Sequence, residues 1–401
     1  MSSEAFAGDR ALLAELPAES ALIALTTSAP AGQQALHAVL ERPVAWHRLM
    51  VLAARERAVI ALNDQLARTP VPGARREDVA TLQRLAMVAE FQLSSLHDRL
   101  VKLLALFARH DIDALLLKGA GLAHSAYARP TERPMGDIDL LVRPEHAQRA
   151  WDLALANGWA RRSDVPEERS YAEHQHLPPL EDADGLQIGL ELHVALFTHQ
   201  APFRLPPEEL WKGARRLTVG GQPAWVPSPE HQLLHAALHF AWSHEMTFGA
   251  FRTLRDVERI VTRGPLDWSE LAGAARAARG ATCCYWTLRL ARDLTGVSVP
   301  SDILDELSPR LPAVVLRSLT RYFAEHALPG PDLVSSVSLS RALWSLGVRP
   351  RSQGHRGSRP WLDTEEWVRI PGGMRNARAA GARRFIQQSF GLLRTIGGLL
   401  G

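Results

Sequence analysis

The sequence predicts an α/β protein: a mixed sheet carrying a functional face, flanked by helical regions on both sides. Three observations predict it. Residues 1–110 and 229–345 are rich in Ala and Leu at helical spacing, broken by Pro and Gly. Between them the rhythm shortens to apolar runs of four or five residues separated by turn residues. Two of those runs, Leu115-Leu116-Leu117 and Leu140-Leu141-Val142, adjoin residues that a strand does not choose for packing: Lys118-Gly119 after the first, and Asp137 and Asp139 before the second.

Length and composition bound the problem. With 401 residues, the chain is long enough for two or three substantial cores. It is 46% hydrophobic and 22% charged, an ordinary globular balance. A formal charge of +3 does not mark a nucleic-acid binder, although the pI is near 9.1. The cysteines, Cys283 and Cys284, are adjacent; they are expected as buried thiols on a helix rather than a disulfide or a zinc cage. Residues 1–10 lack the basic-then-apolar order of a signal peptide, and no apolar run reaches about 18 residues, so a cytoplasmic protein without a membrane span is expected.

Residues 1–95 read as a helical N-terminal region. Segments 11–16, 21–25 and 34–40 are broken at Pro17, Pro30 and Pro43. Residues 44–68 read as one continuous helix, stopped by Thr69-Pro70-Val71-Pro72-Gly73, and a long helix follows over 75–110. No clustered catalytic residues stand out there; packing, or presenting an acceptor to the next region, is the expected role.

Residues 96–225 form the expected core. A strand at 114–117 leads to a helix at 121–128 and a strand at 138–142. A helix then starts at Pro144 and stops before Gly158. Runs 176–180 and 186–196 flank an Asp184-Gly185 hairpin signal. The second run alternates, with Leu186, Ile188, Leu190, Leu192 and Val194 on one face and Glu191 with His193 on the other. A short strand at 223–226 ends the region.

Residues 226–345 read as a helical C-terminal domain. Helix 229–244 carries His231, His235 and His239 at spacings of four, a row that lacks the Glu of an HExxH zinc site. Residues 346–401 combine a Gly/Pro/Arg/Ser-rich linker with a basic amphipathic tail, whose Arg375, Arg378, Arg383, Arg384 and Arg394 alternate with Phe385, Ile386, Phe390, Leu392 and Leu393. A weak membrane or protein contact through that tail is one reading; a solvated helix is the other.

The chemistry is expected around the Asp pair. Carboxylates at i and i+2 of a strand share a face, where they repel unless a cation or proton intervenes. A hard divalent metal, Mg²⁺ above all, takes such oxygen ligands and brings phosphates with it. The alternative is a solvated strand end. Glu191 is the candidate third carboxylate, as a metal ligand or as the base for an acceptor hydroxyl. Lys118 and Gly119 stand between strand and helix, where glycine permits close backbone approach, the helix N-terminus favours an anion and the ammonium adds charge; the alternative is a plain turn. Arg133 precedes the Asp pair and is a candidate phosphate contact.

The run LLLKGAGLAHSAY…RP…GDIDLLV resembles the signature of the uncharacterised bacterial nucleotidyltransferase-like family, a branch of the DNA polymerase β-type nucleotidyltransferase superfamily. The later run PSPEHQLLHAALHFAW…LRDVERIV resembles the helical half of the same family, so the likeness covers about 100–300. Lys118-Gly119-Ala120 replaces the superfamily's Gly-Ser turn. The resemblance implies metal held by Asp137, Asp139 and Glu191, with His193, His239 and Asp256 near the nucleotide. It further implies transfer of a nucleoside monophosphate from a triphosphate, ATP first among them, to a hydroxyl of a small molecule, peptide or protein. A nucleic-acid acceptor is not expected, since no aromatic-rich basic groove is visible. The alternative is a nucleotide-binding or scaffold protein whose core no longer transfers.

Overall fold

The computed structural model describes residues 9–26, 33–69, 73–162, 171, 174–198, 200–330, 333 and 337–350. The amphipathic tail expected beyond 350 lies outside the described residues. The architecture is α/β, as the periodicity predicts: a seven-stranded mixed sheet flanked by helices.

Helices α1 (Arg10–Glu15), α2 (Ala18–Leu25) and α3 (Gln33–Leu40) form where expected. The single helix expected over 44–68 is two, α4 (Trp46–Arg55) and α5 (Val59–Arg68). The break has a tertiary cause. The Glu56 carboxylate is buried and accepts a hydrogen bond from the Phe251 amide (3.2 Å), while Arg57 turns left-handed at φ 57°. A helix cannot continue through that residue. The 33-residue α6 (Arg76–Ala108) then crosses the sheet.

The sheet order is β3-β4-β5-β2-β1-β7-β6. Its centre is β1 (Leu115–Leu116), β2 (Asp137–Leu141) and β5 (Gly189–His193); β2 runs antiparallel to β1 and parallel to β5. Between β1 and β2 lies α7 (Lys118–Ser125), and after β2 comes α8 (Pro144–Ala156), begun by Pro144 and followed by Gly158 at φ 89°. The edge strands are β3 (Trp159–Arg161) and β4 (Leu180–Asp182) on one side, β7 (Gln222–Val226) and β6 (Arg215–Val219) on the other. β5 is shorter than the run expected over 186–196. β3 and β6 were not legible in the sequence, because one has three residues and the other, Arg-Arg-Leu-Thr-Val, shows no buried alternation. Gly220 and Gly221 close the β6–β7 turn with positive φ, and a Cβ on Gly220 would stand 2.5 Å from a Val101 methyl of α6.

Period-two alternation divides the sheet's two faces. Leu116, Ile138, Leu140, Leu190 and Leu192 enter the main core, whereas Leu115, Leu117 and Leu141 join Leu196 and Leu210 on the opposite side. The carboxylates share that second face, on the part of the sheet that the small apolar cluster leaves uncovered.

After α9 (Pro207–Lys212) and the β6–β7 hairpin comes α10 (Pro229–Leu238), capped by Ser228, whose side chain accepts from the His231 amide. A π-helical turn, His239–Ser243, follows it. Then come α11 (Ala250–Arg263), α12 (Trp268–Ala277), α13 (Ala281–Thr295), α14 (Ser301–Leu307), α15 (Ala313–Ala327) and α16 (Val337–Gly347). Cys283 and Cys284 are free and buried on α13, as expected. One apolar cluster runs from Leu12 to Val348, so the two helical regions share a core. Among the described residues no helix is long and apolar enough to cross a membrane.

Candidate active site

The parallel register of β2 and β5 sets Asp139 beside Glu191 and Leu141 beside His193. Side chains two apart share a face, so Asp137, Asp139, Glu191 and His193 all project from the same side. Asp139 and His193 are each 2% exposed. Asp137 pairs with Gly189, which has no side chain to cover it, and its carboxylate stays open to solvent though protein surrounds it.

Two contacts meet at Asp139, and the same two partners reach Glu191. The Lys118 ammonium lies 2.7 Å from Oδ1, and His193 Nε2 is 3.0 Å from the same oxygen. Nε2 is also 3.4 Å from Glu191 Oε2, and Lys118 Nζ is 3.8 Å from that oxygen. Lys118 reaches there from a left-handed backbone (φ 44°) at the start of α7. Ligand atoms of Asp139, Glu191 and His193 all lie within 4.8 Å of one another. Asp137 shares their face but is not part of that compact group.

The charges are mutually tuned. Burial works to raise the Asp139 pKa, but Lys118 and the His193 hydrogen bond outweigh it and hold the carboxyl below its ordinary value. Glu191, against the same burial, is taken well below by His193 and Lys118. Asp137 moves upward, through burial first and then repulsion from Asp139 and Glu191. For Lys118 and His193, burial favours the neutral form, yet the carboxylates win and both pKa values rise.

Two guanidinium groups that sequence reasoning did not reach act on Asp137. Arg57, in the α4–α5 break, packs over Gly136; a Cβ on Gly136 would stand 2.5 Å from Nη1. It therefore sits one residue from Asp137, whose charge opposes the burial that lowers the Arg57 pKa. Arg252, on the first turn of α11, is pushed down to about 10 by burial and by Arg57 and Arg133. The same Glu56 bond that separates α4 from α5 pins α11, because Glu56 supplies the acceptor that N-terminal Gly249 lacks. Arg55 reinforces the junction through the Thr247 carbonyl at 2.7 Å. No local pattern signals this, since Glu56 and Phe251 are 195 positions apart.

The remaining candidates are held by other contacts. Arg133 is buried and grips Asp256 with two bonds, Nε to Oδ1 at 2.6 Å and Nη2 to Oδ2 at 2.8 Å, while the Tyr127 hydroxyl donates to Oδ1 at 2.7 Å. The pair joins the 133–136 loop to α11. Gly119 is packed against Met135, whose Cβ would be 2.8 Å from an added Cβ. A cavity of about 40 Å³ lies between Lys118, Arg133, His235, His239 and Asp256, room for a few waters and not for a nucleotide. His239 begins the π-helical turn, with its ring edge-on to His244 at 4.4 Å. His231 instead meets Ser228 at the helix start, 3.0 Å from Oγ, so the row does not converge.

The family described as uncharacterised nucleotidyltransferase matches residues 42–296. The chain belongs to this family. The match spans more than half the chain and includes both strands of the acidic face, Lys118, Arg57 and Arg252. Nucleotidyltransferase membership implies a transferase with a nucleotide substrate, and the Asp139–Glu191–His193 group is a fit place for a metal ion. Comparisons with curated proteins and with solved structures return no match.

Proposed function

We propose that the protein transfers a nucleoside monophosphate from a nucleoside triphosphate, ATP first among them, to an acceptor hydroxyl on a small molecule, peptide or protein. The observation that carries this reading is the pairing of an acidic face with an arc of cations. Asp137, Asp139 and Glu191 face one way from two registered strands; Lys118 meets Asp139 and Glu191, and Arg57 and Arg252 act on Asp137 from the α4–α5 break and α11. Carboxylates alone repel a triphosphate; carboxylates with a metal, ringed by cations, hold one.

A divalent cation bound there, with Mg²⁺ the first to test, supplies charge neutralisation of the phosphates and stabilises the departing pyrophosphate. Glu191 and Asp139, both held ionised, act as ligands. Arg57 and Arg252 orient the phosphates by hydrogen bonding and charge, and Lys118 adds a point charge from the opposite side. The acceptor enters beside Asp137, the solvent-open carboxylate. Its oxygen bonds to the α-phosphorus as the bond to the β-phosphate bridging oxygen breaks, pyrophosphate departs and the hydroxyl proton passes to solvent or a nearby base. The N-terminal helices thus belong to the functional unit through Arg57.

One observation favours a non-catalytic nucleotide-binding reading: the Lys118 ammonium contacts Asp139 where a metal would sit. Calorimetry of the four ribonucleoside triphosphates with and without Mg²⁺, on wild type and Asp139→Asn, together with a pyrophosphate-release assay, separates the two. Metal-dependent binding and release, both lost in the variant, support transfer. Binding that ignores metal and releases nothing supports the second reading.

A further inference from the structure

We propose that His193 is itself a metal ligand, through Nε2, and that the site therefore takes a first-row transition ion in preference to Mg²⁺. The inference deepens the transferase reading and rests on it for the metal's purpose, though not for the ligand geometry. Around a six-coordinate ion with bonds of about 2.1 Å, neighbouring ligand atoms lie roughly 3 Å apart. His193 Nε2 stands 3.0 Å from Asp139 Oδ1 and 3.4 Å from Glu191 Oε2, the spacing of three atoms that share one ion.

The imidazole is also placed as a ligand is. Its ring is buried and edge-on to His176 at 5.3 Å between centroids, and Nε2 points at the two carboxylates. A histidine's tautomer is normally set by the bond its other nitrogen makes. Here Nδ1 is buried without a hydrogen-bond partner among the described residues. The two carboxylates hold the ring proton on Nε2, and a metal ion taking its place between the three atoms would leave that proton to Nδ1 or to solvent.

The donor set then decides the ion. Mg²⁺ asks for oxygen and keeps several waters, whereas a mixed carboxylate–imidazole set suits Mn²⁺ and its heavier neighbours. Mn²⁺, at the hard end of that series, fits two carboxylates and one nitrogen and serves as the probe.

The experiment is pulsed electron paramagnetic resonance of Mn²⁺ bound to the full chain, with and without a non-hydrolysable triphosphate. The expected result is a directly bound ¹⁴N signal that becomes ¹⁵N in protein labelled at histidine. His193→Gln should abolish it and weaken Mn²⁺ binding at least tenfold, while His174→Ala should leave it intact. Mg²⁺ should displace Mn²⁺ only at tenfold or greater excess. Mn²⁺ bound without nitrogen coupling, or displaced by Mg²⁺ at parity, overturns the inference; Mg²⁺-dependent triphosphate binding in the same protein would leave the transferase reading standing. If no divalent ion binds under any condition, both fall. The wild-type spectrum decides the matter even if His193→Gln does not fold.

Discussion

The Lys118 ammonium stands 2.7 Å from Asp139 Oδ1, the same oxygen that His193 Nε2 approaches at 3.0 Å. A metal and an ammonium cannot both occupy that position. Lys118→Met should therefore raise divalent-ion affinity in the absence of nucleotide by about tenfold, or ~1.4 kcal/mol, because a competing cation is removed. Triphosphate affinity should fall at the same time, since the variant loses a phosphate contact. Isothermal titrations of metal alone and of nucleotide with metal read the two effects; parallel changes would contradict the exchange.

Arg57 predicts a separation of stability from function. Its left-handed conformation costs an L-residue about 1 kcal/mol and costs glycine little. Arg57→Gly should keep the fold at equal stability, or within about 1 kcal/mol of it. Triphosphate affinity should nonetheless drop about tenfold, the scale of one lost charged hydrogen bond. Denaturant melts beside nucleotide titrations test this, and a variant that unfolds would show that Arg57 is a structural residue.

The buried Arg133–Asp256 pair makes the opposite prediction. Asp256→Asn leaves the guanidinium without its counter-charge, and breaking a buried pair costs about 3–5 kcal/mol. Equilibrium unfolding should show a loss of that order. A double variant, Arg133→Met with Asp256→Asn, should recover part of it, because the stranded charge is gone. A full loss in the double variant would mean that Tyr127 and the cavity matter more than the ion pair.

His235 predicts an acid sensitivity. Burial, helped by Lys118 and His193, pushes its pKa down to about 3 from an unfolded value near 6.5. The unfolded chain then takes up a proton that the folded chain refuses. Stability is full above about pH 6.5 and declines as pH falls toward 3, by about 2 kcal/mol at pH 5 for this group. His235→Gln keeps a polar side chain and removes the titration, so its stability should vary less between pH 7 and pH 5 than that of the wild type. Denaturant unfolding at the two pH values gives the comparison.

What the sequence made legible is whatever depends on local period. The alternation in Gly136-Ile138-Leu140 and in 186–194 placed Asp137 with Asp139, and Glu191 with His193, on the faces they occupy. It carried no record of register, because β2 and β5 meet across some fifty intervening residues; that Asp139 would stand beside Glu191 was a matter of strand pairing. Arg133 read as a loop arginine facing phosphate, and its partner lies 123 positions later. The α4–α5 break was hidden for the same reason. Residues 44–68 are helical by every local measure, and what interrupts them is an amide 195 positions further along the chain.

That junction has one more consequence. Arg57 and Arg252 each adjoin one partner of the Glu56–Phe251 hydrogen bond, so two like charges are held in place before any ligand arrives. Arg57 lowers the proton affinity of Arg252, and the two store repulsion in the folded chain. A polyanion seated between them converts that tension into attraction. The arginine pair should act as an electrostatic spring that is loaded by folding and relaxed by its ligand, and a simple inorganic polyphosphate should raise the melting temperature more at low ionic strength than at high.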